Sequence, residues 1–275
     1  MKAEDIEFVA ALAKARAGLL LRGERQFVIE TRLAPLARRE GAPSVAALIE
    51  RLRAGPDSPL ADAAAEALSG TESAFFRDRA VFDRLRDELL PGLAARRPAG
   101  KARAWCAGVG SGQEAYSLAM LMEESRGRFG PLELEIAATD FVERVLEKAQ
   151  AGLYTHFEVQ RGLPIRYLLR YFEKTDDAWR AGPRLRQAVS WRRSNLIAGD
   201  AGQGRFDLIL CRNVLKNLHP DMRPRVLARL AMALADDGLL VLGADEAAGL
   251  PEAFEPVRGG AAVYSRNPSF GRAAA

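Results

Sequence analysis

Cysteine and histidine are scarce in this chain, with two of each among 275 residues. Cys106 and Cys211 each fall inside an apolar, strand-like run. They read as small buried hydrophobes of a reducing cytoplasm, not as a disulfide or a metal pair. His156 and His219 stand alone, with no HxxxH spacing and no cysteine partner. That argues against metal ligation and against a Ser-His-Asp or Cys-His nucleophile. No apolar run approaches the ~18 residues of a bilayer-spanning helix. The opening Met1-Lys2-Ala3-Glu4-Asp5 turns acidic without the apolar stretch of a signal peptide. The chain is therefore expected in the cytoplasm and not inserted in a membrane. A formal net charge of +4 comes from arginines mixed with acids along the chain. The concentrated basic stripe and aromatic platforms of a nucleic-acid binder are missing.

What is present suits a folded protein: 48% of residues are hydrophobic and 28% charged, enough for one large domain and one small one. Residues 1–70 read as helices only. Ile6, Val9, Ala10 and Ala13 recur at helical spacing. A second periodic stretch over 24–40 carries Phe27, Leu33 and Leu36, with Pro35 inside it as an expected kink. Ser44 caps a third helix whose apolar face is Val45, Leu48, Ile49 and Leu52, ended by Gly55. An Ala-rich fourth helix spans 59–68. Residues 71–100 read as a short irregular piece, a connecting helix with Val81, Phe82, Leu85 and Leu89, and a turn at Arg96-Arg97-Pro98-Ala99-Gly100. Over 101–275 the rhythm becomes strand, loop, helix. Strands are expected at 102–107, 132–139, 189–191, 206–211 and 239–243, with helices at 113–123, 142–149 and 224–235 and a turn at Asp236-Asp237-Gly238. That alternation predicts an α/β fold, a doubly wound, mostly parallel sheet preceded by a small all-α domain. The tail departs from it. Two short strand-like pieces flank Gly259-Gly260, which predicts a C-terminal antiparallel hairpin with a two-residue turn. A hairpin there marks the methyltransferase variant of the sheet and is unusual in nicotinamide-binding domains.

The chemistry gathers at strand ends. Gly108, Gly110 and Gly112 lie between a strand and a helix, where backbone can approach a ligand closely. The pattern alone serves NAD, FAD and S-adenosylmethionine alike. Asp140 ends the next strand, where an acid can accept both hydroxyls of a ribose; capping the following helix is the competing role. Glu114, in the first turn after the glycine loop, disfavours a pyrophosphate and suits a sulfonium cation with an ammonium group. Arg212 and Asn213 sit at the carboxyl end of a central strand, the edge where open α/β sheets bind ligands. Asn195 is a weaker candidate of the same type. Arg77, at the domain junction, can either reach the cofactor or pair with an acid such as Asp78 or Asp83.

These residues fall into phrases that resemble the CheR family of chemotaxis receptor methyltransferases. The phrases are Thr71-Glu72-Ser73-Ala74-Phe75-Phe76-Arg77-Asp78, the run from Trp105 through Gly112-Gln113-Glu114 to Met120, the run from Ala138-Thr139-Asp140 to Tyr154, and Phe206-Asp207-Leu208-Ile209-Leu210-Cys211-Arg212-Asn213-Val214. The resemblance implies an enzyme that binds S-adenosyl-L-methionine, releases S-adenosyl-L-homocysteine and methylates receptor glutamates. It implies cofactor contacts at Thr71, Ser73, Arg77, Gly108, Gly110, Gly112, Glu114, Asp140, Asn195, Leu196, Arg212 and Asn213. Arg77 and Asn217 would be the catalytic pair, with no metal. The implied partner is the cytoplasmic helical region of a chemoreceptor-like protein, met through Arg32 and Arg38. The chain departs from the pattern at several places. Asn217 stands where the family has Tyr, and Gln113 where it has Glu. Gly243-Ala244-Asp245-Glu246 replaces a Gly-His-Ser-Glu, and residues 173–193 lack the Gly-rich turns of the family's small β-subdomain. A methyltransferase weakened to a cofactor-binding regulatory module is the alternative these departures keep open.

Overall fold

The computed structural model describes residues 1–21, 26–70, 72–199, 204–259 and 262–270. The chain divides into two compact units, Met1–Gly70 with Leu215–Arg225, and Thr71–Val214 with Val226–Ala275. Among the described residues no helix is long and apolar enough to cross a membrane.

The first unit is built on helices Ala3–Ala17, Gln26–Arg39, Val45–Ala54 and Pro59–Leu68. Their apolar faces meet around Val9, Leu33, Leu48, Ile49 and Leu52, all fully buried. Two serine caps begin the last two helices: the Ser44 Oγ accepts the Ala47 N–H at 3.1 Å and the Ser58 Oγ accepts that of Ala61 at 3.4 Å. The helix Gln26–Arg39 runs through Pro35 without a break. The segment Leu215–Arg225, given by the sequence rhythm to the larger domain, joins this unit. The Leu20 N–H donates to the Asn217 carbonyl at 2.9 Å, the His219 N–H to the Gly18 carbonyl at 2.8 Å, and Lys14 pairs with Asp221 at 2.6 Å.

Among the described residues the second unit holds ten strands, β1 Lys101–Ala107, β2 Glu133–Asp140, β3 Leu153–Thr155, β4 Phe172–Lys174, β5 Ala178–Ala181, β6 Val189–Arg193, β7 Phe206–Cys211, β8 Leu234–Leu242, β9 Phe254–Pro256 and β10 Val263–Arg266. Seven make one sheet in the order β6-β2-β1-β7-β8-β10-β9. The first four neighbours pair in parallel and the last two antiparallel. The central strands are nearly continuous apolar runs because helices cover both faces. Cys106 and Cys211 are free and fully buried inside them. Burial pushes both thiols well above their ordinary value. The chain order reverses between β1 and β7, so the crevice at their carboxyl ends is where a ligand is expected.

Three local expectations change. No free-standing turn occupies 236–238. Those residues belong to β8, whose register against β7 steps from Phe206↔Leu234 to Leu208↔Leu239, leaving extra residues on the β8 side as a bulge. The C-terminal pair is antiparallel as expected, but its turn is not two residues long. The Val257 N–H bonds the Val263 carbonyl at 2.9 Å, which leaves residues 258–262 between them; Gly260 lies outside the described residues. A small antiparallel sheet, β3-β5-β4, also forms without glycine turns. Its tight turn at Asp176-Asp177 is closed by the Thr175 N–H and hydroxyl, both donating to the Ala178 carbonyl at 2.8 and 2.9 Å. A side-chain hydroxyl does there what a glycine-permitted turn does elsewhere.

At the opposite, N-terminal edge of the sheet one arginine ties three segments. Arg97 reaches Asp207 through Nε at 2.8 Å and Asp237 through Nη1 at 2.8 Å, and the other Asp207 oxygen accepts the Arg103 N–H at 2.7 Å. Arg97→Ala is expected to cost about 1.5–3 kcal/mol, the range for hydrogen bonds to charged groups. That would appear as a lower thermal midpoint, by roughly 2–4 °C per kcal/mol at this size. The hydrogen bond from Arg97 holds the Asp237 carboxyl below its ordinary value. The contribution is therefore fully present above the unfolded carboxylate value of about 3.9 and is lost as pH falls through the lower folded one. The midpoint gap between wild type and variant should narrow as pH falls below about 4 in denaturation scans.

Candidate active site

The site starts from the need to turn β1 into the helix Gln113–Glu124 within five residues. Gly108 and Gly112 turn left-handed, at φ +71° and +92°. A β-carbon on Gly108 would stand 2.6 Å from the Val214 side chain, and one on Gly112 would stand 2.7 Å from Ala149 and 2.8 Å from Trp191. Both glycines are thus required by backbone conformation and by close packing. The loop is held against β2, where the Gly108 and Val109 N–H groups donate to the Thr139 carbonyl at 2.8 and 3.0 Å.

Asp140 completes that junction. One carboxylate oxygen accepts the Gly110 N–H at 2.8 Å and the other the Val142 N–H at 2.9 Å. Asp140 does not cap the following helix, whose N-cap is Val142 without a side-chain cap bond; it closes the turn ahead of that helix, and a carboxylate with about four acceptor positions keeps capacity for a hydroxyl. Burial raises the Asp140 pKa, opposed by these backbone bonds. The end of β6 lies alongside: the Ser194 N–H donates to the Asp140 carbonyl at 2.9 Å. Just beyond, Asn195 Oδ1 accepts the Ile197 N–H at 3.1 Å and the Leu196 carbonyl accepts Arg229 at 2.8 Å.

Arg212 is the centre of the arrangement. Its side chain has no exposed surface. Nη1 meets Glu114 at 2.7 Å, and Nη2 reaches Asp78 at 2.8 Å and the Arg77 carbonyl at 2.6 Å. Nε is buried without a hydrogen-bond partner. The guanidinium thus joins the β7 end, the glycine-loop helix and the segment that precedes the connecting helix. That segment is bent by two residues other than glycine at positive φ, Phe76 at +47° and Asp78 at +56°. Such conformations cost of order 1–3 kcal/mol each and persist where surroundings over-determine them. Here the Phe76 N–H is bound by Ser117 Oγ at 2.9 Å. Phe75 is fully buried, edge-on to Tyr154 and Phe172 at 5.1 and 5.6 Å. Asp78 pairs with Arg212, and Asp83 with Arg86 at 2.8 Å. Neither acid is the partner of Arg77, whose side chain makes no ion pair among the described residues.

Ser73, Arg77, Gly108, Glu114, Arg212 and Asn213 therefore line one cavity, with Glu72, Ala74 and Val109. Gly110 and Asp140 are not among its lining residues; Gly110 follows Val109 in the loop and donates its N–H to Asp140. Burial raises the Glu114 pKa, while Arg212 and, more weakly, Arg77 counter it. Thr71 lies outside the described residues. Asn217 is exposed at the end of the turn Leu215–Asn217, in the helical unit. Gln113 is buried, its carbonyl oxygen accepting the Ser111 hydroxyl at 2.9 Å. Spacing alone did not single out Glu246, whose carboxylate binds the Asn213 and Gly243 N–H groups; its only signal was the family phrase it closes. A second hollow, lined by Arg97, Lys101, Arg103, Glu133, Glu135 and Asp207, lies at the wrong end of the parallel strands for a cofactor. No cluster of three or more metal-ligating side chains occurs among the described residues.

Residues 71–263 match the family described as "CheR methyltransferase, SAM binding domain", where SAM is S-adenosylmethionine. Over nearly its whole length the chain is also similar to curated proteins. It is 32% identical to chemotaxis protein methyltransferase Cher2 of Pseudomonas putida, over 92% of this chain and 94% of that protein. It is 36% identical to the chemotaxis protein methyltransferase of Vibrio parahaemolyticus, over 89% and 90%. Against that of Escherichia coli the identity is 31%, over 86% and 82%. With the sheet order, the glycine-floored crevice and the acids beside it, these matches make the chain a member of the CheR methyltransferase family, with the S-adenosylmethionine-binding domain in residues 71–263.

Proposed function

We propose that this methyltransferase esterifies glutamate side chains of a chemoreceptor-like protein, leaving S-adenosylhomocysteine as product. The observation that carries the reading is the cavity at the carboxyl edge of the sheet, where a buried acid and two arginines retain unmet demands. Glu114 is an acid whose ionised form burial disfavours, so a cation beside it is welcome. Arg212 Nε lacks an acceptor, and Arg77 lines the same cavity with no acid of its own. A ligand with an ammonium group, a carboxylate and a ribose fits this set, with Glu114, the two arginines and Asp140 as their respective partners. Asn195, Leu196 and Asn213 would contribute the remaining contacts, and Ser73 a hydroxyl at the mouth.

The bound cofactor supplies a sulfonium, a leaving group good enough that the acceptor needs no covalent help. Transfer forms one oxygen–methyl bond and breaks one sulfur–methyl bond, the electron pair going to sulfur and no proton moving. The protein's task is alignment and exclusion of water, worth about 7–11 kcal/mol when reacting atoms are held in near-attack geometry. Arg77 is the residue we assign to the acceptor carboxylate as well as to the cofactor. In the helical unit Arg32 is tied to the Leu68 carbonyl at 2.9 Å, while Arg38 is exposed on the helix Gln26–Arg39. Arg38 is therefore the better candidate for an acidic, helical receptor segment.

Calorimetry with S-adenosylmethionine tests the binding half. Asp140→Ala should weaken binding about 10- to 100-fold, the loss of charge-assisted hydrogen bonds. The raised Glu114 and Asp140 set the pH dependence. A cationic ligand selects the ionised carboxylates, so affinity should fall as pH drops through their folded values. The fall should begin above the ~4.3 of an ordinary Glu. An affinity flat across that range would contradict the assignment. Methyl-tritiated cofactor with a chemoreceptor tests the chemistry. Base-labile label on the receptor is the expected outcome, and label in small molecules or in base-stable linkage would refute it. Asn217 and Gln113 favour a second reading, a module that binds cofactor without turnover. Tight binding with no label across several receptors would select it.

A further inference from the structure

We infer that Glu246 is a positioning residue, which sets the backbone of Asn213 at the cofactor crevice by clamping the ends of β7 and β8 together. Cys211 and Leu242 are the last register partners of these strands. Beyond them the chains part, and the N–H groups of Asn213 and Gly243 lose their place in the ladder. A single carboxylate oxygen, Glu246 Oε2, accepts both, at 2.7 and 2.9 Å. The Glu246 N–H in turn donates to the Gly243 carbonyl at 2.9 Å, so the turn 243–246 folds its own side chain back under the strand end. The residue is 8% exposed.

Two features show that the neighbourhood is shaped around this clamp. A β-carbon on Gly243 would lie 2.8 Å from Glu246 Oε2 and 3.0 Å from the Asn213 nitrogen, so no larger residue permits the approach. Asn213 itself sits at φ +61°, a left-handed conformation uncommon outside glycine that Asn tolerates better than most residues and that the clamp further holds. Asn213 lines the cavity beside Arg212, so a backbone shift at 213 would move both side chains. The clamp depends on reach: Asp is one methylene too short, whereas Gln keeps an oxygen at the right distance. The inference rests on Asn213 being a cofactor contact, as proposed above.

The test is calorimetry with S-adenosylmethionine and S-adenosylhomocysteine on folded variants, checked by circular dichroism and thermal midpoint. Glu246→Asp should weaken both ligands by a similar factor, about 10- to 100-fold, and Glu246→Gln by no more than about 5-fold. Equal loss on both marks positioning. Loss confined to the sulfonium, with Gln as damaging as Asp, would mean that Glu246 acts through its charge and would overturn the inference. In an Asn213→Gly background, where the left-handed turn no longer needs support, Glu246→Asp should add less than about 3-fold. Multiplicative losses there would also overturn it. If Asn213→Gly alone leaves binding unchanged, the assignment of Asn213 fails, whatever Glu246 does.

Discussion

A guanidinium with no exposed surface must be neutralised where it sits, because removing its water costs several kcal/mol. Arg212 meets that demand with Glu114 on one side and Asp78 on the other. The two acids come from opposite ends of the cofactor region, one from the helix behind the glycine loop and one from the segment ahead of the connecting helix. Neutralising the arginine therefore fixes the distance between them. The left-handed turn at Asp78 is held by the same set of contacts, and that at Phe76 by the Ser117 hydroxyl. Removing Arg212 would leave the largely buried Glu114 carboxylate unpaired, which is more costly than losing an exposed ion pair.

The fold and much of the crevice were legible in the sequence because their signals are local. Gly108, Gly110 and Gly112 announce a turn that other residues cannot make. Asp140 and Arg212-Asn213 announce themselves by ending apolar runs. What stayed illegible depends on contacts between distant residues. The choice between Asp78 and Asp83 as partner of Arg77 had the answer "neither", since Asp78 belongs to an arginine 134 positions away. The grouping of Leu215–Arg225 with the N-terminal helices rests on backbone bonds to Gly18 and Leu20. Asp236-Asp237-Gly238 has the composition of a turn and is nevertheless absorbed into β8 as a bulge, because its neighbours on both sides pair with β7. The small sheet has no Gly-rich turn to announce it, because a threonine hydroxyl closes the turn instead.

The departures from the family phrases can be weighed in the same terms. Gln113 is buried next to Glu114 and bonds Ser111 as a neutral acceptor. A carboxylate in its place would add a second negative charge to a helix start that already holds one disfavoured by burial. The amide thus keeps the hydrogen bond and spares the cavity that repulsion. Asn217 is different. It is exposed in the helical unit, where its carbonyl accepts the Leu20 N–H.

The two cysteines have a practical corollary. Thiol reagents and peroxides attack the thiolate, and at Cys106 and Cys211 that form is suppressed by complete burial in the sheet. Both side chains are closed to solvent and neither can be reached without opening the central strands. The native chain is in effect a blank for thiol chemistry. A single cysteine introduced on the surface could carry a spectroscopic probe unaccompanied, and the onset of reaction at the native pair would report the opening of the core itself.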